Sequence, residues 1–304
     1  MSSGRGQTAP GPPFTQRRTM SKFTLVQLSD THLSASRPFF QFNFEMVVEA
    51  MEAVAPDHVI ITGDLGLNGP DDIADVAFAK RQFDRLGAKW SAVPGNHDLG
   101  LVPFEGGLHQ PVTEARHAAY LGVMGQDRFL QDIGDWRLIG INSQLLGSGL
   151  AAEAEQLDWL AGALAATGRP TALFLHYPLF LDDPADPARS HAAVLPEPRA
   201  ALMDLIGKTP NLRLVASGHL HEDRRVEWDG VTYQWSPATS FITTDGNHGG
   251  LATTGFLVHR FDGDSFTTER VSPRWMINHD IASWGNTEPH GYYEIVKRPY
   301  PHVA

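Results

Sequence analysis

The stretch Trp90-Ser-Ala-Val-Pro-Gly-Asn-His-Asp98 sets a short apolar run directly before a cluster of polar side chains. An apolar run bounded by proline and glycine is typical of a buried strand, so we predict a strand that ends at Val93. Asn96 and His97 then follow its carboxyl end, which is where α/β proteins bind their ligands. The stretch therefore predicts an α/β protein with a functional site at this end of the strand.

The same arrangement recurs along the chain. Four more apolar runs are each followed by residues that can bind a metal: Asp30 with His32, Asp64, His176, and His219 with His221. Between the runs, apolar residues recur at helical spacing, which predicts amphipathic helices over 46–54, 73–86, 154–165 and 202–206. Alternation of strands and helices predicts layers of helix packed on sheet.

After residue 222 the pattern changes to strands with no helices between them. Asp229-Gly230 and Asp262-Gly263 are typical of hairpin turns, so we expect antiparallel strands over 224–271 that complete a second sheet. The sequence has no internal repeat and no linker between residues 21 and 280, which predicts a single domain over 21–280. A disordered arm is expected over 1–20, which is rich in Gly, Pro, Ser and Thr, and an extended tail is expected over 281–304.

Composition excludes several classes of function. The 304 residues include 24 lysines and arginines against 35 acidic residues, a net charge of −11, which disfavours binding to nucleic acid polymers and to anionic membranes. Cysteine is absent, which excludes disulfides, thiolate zinc sites, iron–sulfur clusters and cysteine nucleophiles. Residues 1–20 carry basic residues without the apolar stretch of a secretory signal, so a cytoplasmic location is expected.

The residues at the strand ends form a chemically consistent set of metal ligands. All of them are oxygen or imidazole donors, which suit manganese, iron, zinc or cobalt, in divalent or trivalent states. Two such ions need about seven or eight protein ligands between them. His176, His219, His221, an asparagine and two aspartates form the nucleus of the set, and His32 makes a seventh ligand. A single such motif is weak, but five in order, each after a strand, are specific.

These motifs resemble the motif set of the calcineurin-like metallophosphoesterase superfamily. The matching segments lie between residues 23 and 222: Asp30-Thr31-His32, Gly63-Asp64, Gly95-Asn96-His97-Asp98, His176 and Gly218-His219-Leu220-His221. The resemblance implies the family fold, a four-layer α-β-β-α sandwich of two mixed sheets flanked by helices. Relatives commonly self-associate as dimers or larger homo-oligomers, but the sequence leaves the oligomeric state open.

Within the superfamily, the sequence is most similar to the class III branch of cyclic nucleotide phosphodiesterases and glycerophosphodiesterases. Leu67 and Asn68 stand where purple acid phosphatases carry a tyrosine and phosphoprotein phosphatases carry an aspartate–arginine pair. Tyr177 departs from the branch, which has a second histidine at that position. We expect Tyr177 to lie behind the metal ligands or to face the substrate, so the change bears on substrate identity.

The resemblance implies two ions with three ligands each and one shared ligand: Asp30, His32 and His221 for one ion, Asn96, His176 and His219 for the other, and Asp64 between them. It implies in-line attack on the phosphorus of a small soluble phosphodiester by water activated between the ions. His97 is the expected proton donor to the leaving oxygen. Asp98 has two readings of equal weight, a hydrogen bond that holds the His97 ring and a helix cap.

Other functions share these residues. A phosphomonoesterase or nucleotidase would use the same ions, and the difference would lie in the loops. A non-catalytic binding scaffold is expected to lack some ligands, whereas none is missing here. In residues 33–44, Arg37 and the phenylalanines could grip phosphate and base, but packing is the favoured interpretation. Residues 181–199 are expected to form a solvated lid, and His248 to border the cleft.

Overall fold

The computed structural model describes residues 21–103, 110–166, 168–244 and 246–284. The strands are β1 Lys22–Leu28, β2 His58–Thr62, β3 Trp90–Val93, β4 Phe129–Ile133, β5 Trp136–Gly140, β6 Thr171–Phe174, β7 Leu212–Ser217, β8 Glu222–Trp228, β9 Val231–Trp235, β10 Leu251–Ala252, β11 Phe256–Asp262 and β12 Ser265–Val271. The helices are α1 Gln41–Val54, α2 Ile73–Phe83, α3 Asn96–Leu99, α4 Glu114–Met124, α5 Ala151–Ala165 and α6 Pro196–Gly207. Short 3₁₀ helices cover Asp84–Leu86, Ser143–Leu145 and Ile281–Trp284.

The strands form two mixed sheets. The first has the order β12-β11-β1-β2-β3, in which β1, β2 and β3 are parallel and the hairpin of β11 and β12 is antiparallel to β1. The second has the order β10-β8-β9-β7-β6-β5-β4, with a parallel centre from β5 to β9 and antiparallel edges. This arrangement confirms the predicted pair of mixed sheets.

Alternation along the central strands separates three apolar cores. In β1, Val26 and Leu28 pack with α1 and α2, whereas Leu25 packs between the sheets. In β6, Leu173 packs with α5 and α6, whereas Phe174 joins the core between the sheets. Because both sheets bury both faces, their layers follow the order helix, sheet, sheet, helix, as predicted.

The C-terminal strands differ from the prediction that 224–271 complete the second sheet. Strands β8, β9 and β10 do join it, but β11 and β12 return to the first sheet, where Phe261 pairs with Phe23. Strand β9 also runs parallel to β7, although an antiparallel region was predicted. Turn residues identify the hairpins at Asp229-Gly230 and Asp262-Gly263 but carry no information on which distant strand a hairpin joins.

The ends of the chain remain partly predictions. The arm over 1–20 and most of the tail over 281–304 lie outside the described residues. The cytoplasmic location was inferred from residues 1–20, so it stays a prediction. At the start of that tail, Ile281–Trp284 form a 3₁₀ helix rather than an extended chain, and Ile281 is buried near Phe40. Among the described residues, no helix combines the length and apolarity that a membrane crossing requires.

Candidate metal centre

The predicted ligands converge at the carboxyl ends of five parallel strands. Three groups of side chains have ligand atoms within 4.8 Å of one another: Asp30, His32 and His221; His32, Asp64 and His97; and Asp64, His176 and His219. The groups share members, so they form one continuous cluster. The amide Oδ1 of Asn96 joins it at 3.1 Å from Nε2 of His176. Every ligand named from the sequence is therefore in this cluster.

Asp64 lies between the two expected ion positions. Its Oδ1 is 3.3 Å from Nε2 of His176, while its Oδ2 is 3.6 Å from Nε2 of His32. In the group that contains His32, Oδ1 of Asp30 lies 3.2 Å from Nε2 of His221 and 3.9 Å from Nε2 of His32. A carboxylate that directs one oxygen to each group has the geometry of a bridging ligand.

Four histidine rings are fixed by backbone carbonyl groups. The acceptors are Leu67 O for His97 Nδ1 at 3.0 Å, Thr62 O for His176 Nδ1 at 2.7 Å, His191 O for His219 Nε2 at 2.5 Å, and Phe241 O for His221 Nδ1 at 2.8 Å. A carbonyl oxygen only accepts, so the bonded nitrogen carries the proton and the other nitrogen keeps its lone pair. In metal sites this outer hydrogen bond orients the ligand and raises its basicity.

Buried polar atoms in the cluster fit a pair of cations. Both ring nitrogens of His32 and Oδ1 of Asp30 are buried without a hydrogen-bond partner. Such atoms carry a desolvation cost that a coordinated ion would remove. The donor set of carboxylate, imidazole and amide oxygen suits manganese, iron, zinc or cobalt. The residues present therefore fit a dinuclear centre.

The backbone is strained at most of these ligands. Five of the seven have a positive φ between 44° and 75°: Asp30, His32, Asp64, His219 and His221. Residues other than glycine rarely adopt this left-handed region, and each such residue costs on the order of 1–3 kcal/mol. Concentration of this strain in one cluster indicates that the loops are held in a functional conformation by their surroundings.

Burial and charge shift the protonation states of the candidate ligands in different directions. Burial is the largest single influence on the pKa of Asp30 and raises it, but His221 and the charge of His176 together lower that pKa to about 2. Burial lowers the pKa of His219 to about 3, so its ring is neutral. For His176, burial acts in the same direction, yet the Asp64 carboxylate raises the pKa to about 9. Binding of a cation at His176 therefore releases a proton.

The cluster is open on one side only. Asn96, His97 and His219 are half-buried, whereas Asp30 and the remaining ligands are buried. Among the described residues of the cluster, Asn96, His97 and His219 are therefore the ones that solvent reaches. His97 is the member of this open side that was not assigned as a ligand.

Asp98 takes part in capping helix α3, which agrees with one of the two readings given above, and it also bonds to the Asp64 loop. Its carboxylate accepts hydrogen bonds from the backbone N–H groups of Leu65, Gly66 and Gly95 at 2.8–3.1 Å. It is the third residue of α3 and closes the first turn from inside, so it is not the cap residue itself. Burial and the charge of Asp64 raise the pKa of Asp98 to about 7. Asp98 thus joins the Asp64 loop to the Asn96 loop, and its contact is with backbone rather than with the His97 ring.

The loops near the site follow the packing interpretation. Arg37 is buried and pairs with Asp75 at 2.7 Å, so its charge is used inside the protein. Phe40 and Phe44 are buried, and only Phe42 is largely exposed. These contacts confirm packing as the main role of residues 33–44.

Two further predictions concern Tyr177 and the loop over 181–199. The Tyr177 ring is buried against His219, with 4.1 Å between ring centroids. It therefore lies behind a candidate metal ligand, which is one of the two positions expected from the sequence. The loop is largely exposed, and it supplies His191 O, the acceptor for His219. His248 bonds to the buried Glu222. Backbone acceptors such as His191 O have no side-chain signature, so the sequence did not reveal them.

Comparisons with known proteins agree with this geometry. The calcineurin-like phosphoesterase family matches residues 23–223. The chain is 28% identical over 284 residues to the 3′,5′-cyclic adenosine monophosphate phosphodiesterase CpdA of Pseudomonas aeruginosa, with 86% of this chain and 88% of that protein covered. It is 26% identical over 221 residues to a probable glycerophosphodiester phosphodiesterase GpdQ of Arcobacter nitrofigilis, with coverage of 68% and 75%.

Solved structures share the fold at low sequence identity. The purple acid phosphatase PPD1 of yellow lupin superposes with a TM-score of 0.60 at 16% identity, over 86% of this chain and 53% of that one. GAP50 of Plasmodium superposes with the same TM-score at 13% identity, over 84% and 86%. These likenesses concern the fold alone. The match over residues 23–223, together with the convergent ligands, shows that the chain belongs to the calcineurin-like phosphoesterase family of hydrolases.

Proposed function

We propose that this protein is a dinuclear-metal-dependent phosphodiesterase that hydrolyses a small soluble phosphodiester of the cyclic nucleotide or glycerophosphodiester type. The observation that carries the proposal is the convergence of a full ligand set whose histidine lone pairs are directed inward by backbone acceptors. The names of the relatives, which include cyclic nucleotide and glycerophosphodiester phosphodiesterases, support the substrate class.

The roles of the residues follow from their positions. Asp30, His32 and His221 would hold one ion, Asn96, His176 and His219 the other, and Asp64 would bridge them. Bound ions of this kind supply the Lewis acidity that activates water and offsets the charge on phosphate oxygens. The Tyr177 ring keeps His219 in place, and Asp98 keeps the Asp64 and Asn96 loops together.

His97 is the candidate general acid. Its Nδ1 is bonded to Leu67 O, so Nε2 lies on the opposite edge of the ring from that bond. The ring lies at the open side of the cluster, with 4.6 Å between its centroid and that of His32. From there the ring, in its doubly protonated imidazolium form, would donate the Nε2 proton to the leaving oxygen of a phosphodiester and return to the neutral imidazole.

Metal analysis and a substrate screen test the proposal. We expect purified protein to bind two ions per chain and to hydrolyse bis-(p-nitrophenyl) phosphate faster than p-nitrophenyl phosphate, with 3′,5′-cyclic AMP and a glycerophosphodiester as natural candidates. Chelation should abolish this activity, and Asp64→Asn should lose it because the bridging charge is removed. Preference for the monoester would overturn the diesterase assignment, and absence of metal-dependent hydrolysis would overturn catalysis. Size-exclusion chromatography of the same sample tests whether the chain self-associates.

A further inference from the structure

Two loops hold the histidines of the Gly218–His221 motif from outside. The first loop runs over residues 181–195, between β6 and α6, and its His191 O accepts the Nε2 hydrogen of His219. The second loop precedes β10 and is described over 241–244 and 246–250, and its Phe241 O accepts the Nδ1 hydrogen of His221. The orientation of each ring therefore depends on the position of a separate loop.

One side chain connects these two loops. Arg224, on β8, donates from Nη1 to His248 O at 2.7 Å in the second loop and to Leu181 O at 3.3 Å in the first. Its Nη2 pairs with the carboxylate of Asp182 in the first loop. The guanidinium lies 4.9 Å from the centre of the Trp235 ring, which is directly across the strand pair in register. Trp235 thus supports the guanidinium between the loops.

Glu222 adds a second attachment on the same strand. Its buried carboxylate accepts from the N–H groups of His248 at 2.8 Å and Gly250 at 2.6 Å. Because Glu222 and Arg224 are two residues apart on β8, both side chains project from the same face of the sheet. The strand that directly follows the metal-binding motif therefore fixes the loops that orient the two motif histidines.

We propose that Arg224 is a positioning residue of the metal centre, which couples the loops at His191 and Phe241 and so holds His219 and His221 in their ligating orientations. The inference rests on the metal centre of the proposed function. Arginine suits this task because its planar fork donates to several acceptors at once, which the point charge of lysine does not. Loss of the fork removes the shared anchor of the two loops. We expect the larger effect at His219, because Phe241 is also held by its neighbours: Ser240 donates to Asp30 O and Ile242 donates to His279 O.

The test compares Arg224→Met with Arg225→Met. Arg225 is the next residue on β8, but it is exposed and bonds to Glu227 and Thr232 instead of the loops. Binding of Mn²⁺ to chelator-treated, dialysed full-length protein is measured by calorimetry. We expect affinity to fall about 10-fold or more in Arg224→Met, in the range seen when outer partners of metal ligands are removed, and to stay near wild type in Arg225→Met. Unchanged affinity in Arg224→Met would overturn the proposal.

Two further measurements separate positioning from general destabilisation. At saturating Co²⁺, the visible absorption bands of Arg224→Met should differ from those of wild type, because the ligand field depends on ring orientation; identical bands would count against the proposal. Should Arg224→Met fail to fold, Asp182→Asn removes only the charge of one pair with Arg224 and should weaken Mn²⁺ binding by about 3-fold; wild-type binding there would overturn the proposal. Protein that binds ions but cleaves no phosphodiester contradicts the proposed function alone.

Discussion

At the scale of single residues, the chemistry depends on which nitrogen of each histidine carries the proton. Thr62 O and Phe241 O accept hydrogen bonds from Nδ1 of His176 and Nδ1 of His221, whereas His191 O accepts one from Nε2 of His219. The lone pairs that remain all lie on the side of Asp30 and Asp64. The carbonyl groups thus fix which nitrogen of each ring faces the cluster before any cation enters.

His97→Ala separates ion binding from proton transfer. His97 sits on the open side of the cluster, and the proposed ligands are seven other residues, so the variant should keep its two ions. Its turnover of bis-(p-nitrophenyl) phosphate should fall by roughly 10²-fold or more, because the leaving oxygen loses its proton donor. Metal analysis and steady-state kinetics on the same preparation measure both effects. Turnover at the wild-type rate would remove His97 from the mechanism, and loss of an ion would make it a ligand.

At the scale of loops and strands, the ligand loops are packed so closely that side-chain volume is excluded between them. Gly95 has an ordinary extended backbone, with φ of −112°, so alanine is permitted by its conformation. An added Cβ would nevertheless lie 2.2 Å from Asp64 Oδ1 and 2.8 Å from His176 Nε2. Glycine is therefore required at position 95 by the neighbouring ligands rather than by its own dihedral angles.

Gly95→Ala is expected to lower ion occupancy and activity together. The methyl group displaces Asp64 or His176 from the cluster, and a shift of about 1 Å at a reacting centre can cost about 10²-fold in rate. Gly162→Ala is the matched control, since it lies in α5 with no heavy atom within 4 Å of the added Cβ. That control should bind two ions and be more stable by about 0.4–1 kcal/mol. Full ion occupancy and full activity in Gly95→Ala would show that the ligand loops can move apart far enough to accommodate the methyl group.

The sequence predicted the strands that carry ligands better than the elements around them. Each strand that precedes a candidate ligand is a buried apolar run that ends at polar residues, and both features can be recognised in the sequence. Helix α4 escaped prediction because it buries only His117 and Tyr120 and so shows no apolar stripe. Strand β4 is five residues long at a sheet edge, and only Phe129 is buried. Partly exposed elements such as these leave little pattern to detect.

At the scale of the whole molecule, two sheets must align so that loops from both form one site. Strands β1, β2 and β3 of the first sheet are followed by Asp30, Asp64 and Asn96, while β6 and β7 of the second are followed by His176, His219 and His221. The core between the sheets, which includes Phe174 and Trp136, fixes their separation. Pairing of β11 with β1, more than two hundred residues apart, could not be predicted because strand register is set by partners that local patterns do not name.

A buried polar chain also joins the two sheets. Gln27 on β1 donates from Nε2 to Ser217 O on β7 at 3.1 Å and to Thr62 Oγ1 at 3.0 Å. Its Oε1 lies 3.1 Å from Nε2 of His259, whose Nδ1 lies 2.8 Å from Thr268 Oγ1. The amide oxygen only accepts, so the His259 ring donates from Nε2 and accepts from the threonine hydroxyl as a neutral imidazole.

Neutral His259 makes folding sensitive to acid. Burial lowers the pKa of His259 to about 3, against about 6.5 in an unfolded chain. Protonation then favours the unfolded state, so the stability from this ring is complete above pH 6.5 and decreases as the pH falls toward 3. The slope reaches about 1.4 kcal/mol per pH unit for one group. His259→Gln keeps a donor for Gln27 without a titrating ring, so its free energy of unfolding should fall less steeply between pH 6 and pH 4.

Urea unfolding of metal-free protein at pH 7, 6, 5 and 4 measures this difference, because chelation removes the contribution of bound ions. Thr268→Val is the control: it removes one partner of the ring but keeps the ring itself, so it should lower the free energy of unfolding by a similar amount at each pH and retain the wild-type slope. A His259→Gln protein whose stability follows the wild-type pH dependence would mean that His259 becomes protonated in place. The link between the sheets would then tolerate a charge, and the acid sensitivity would have to come from the histidines of the metal cluster instead.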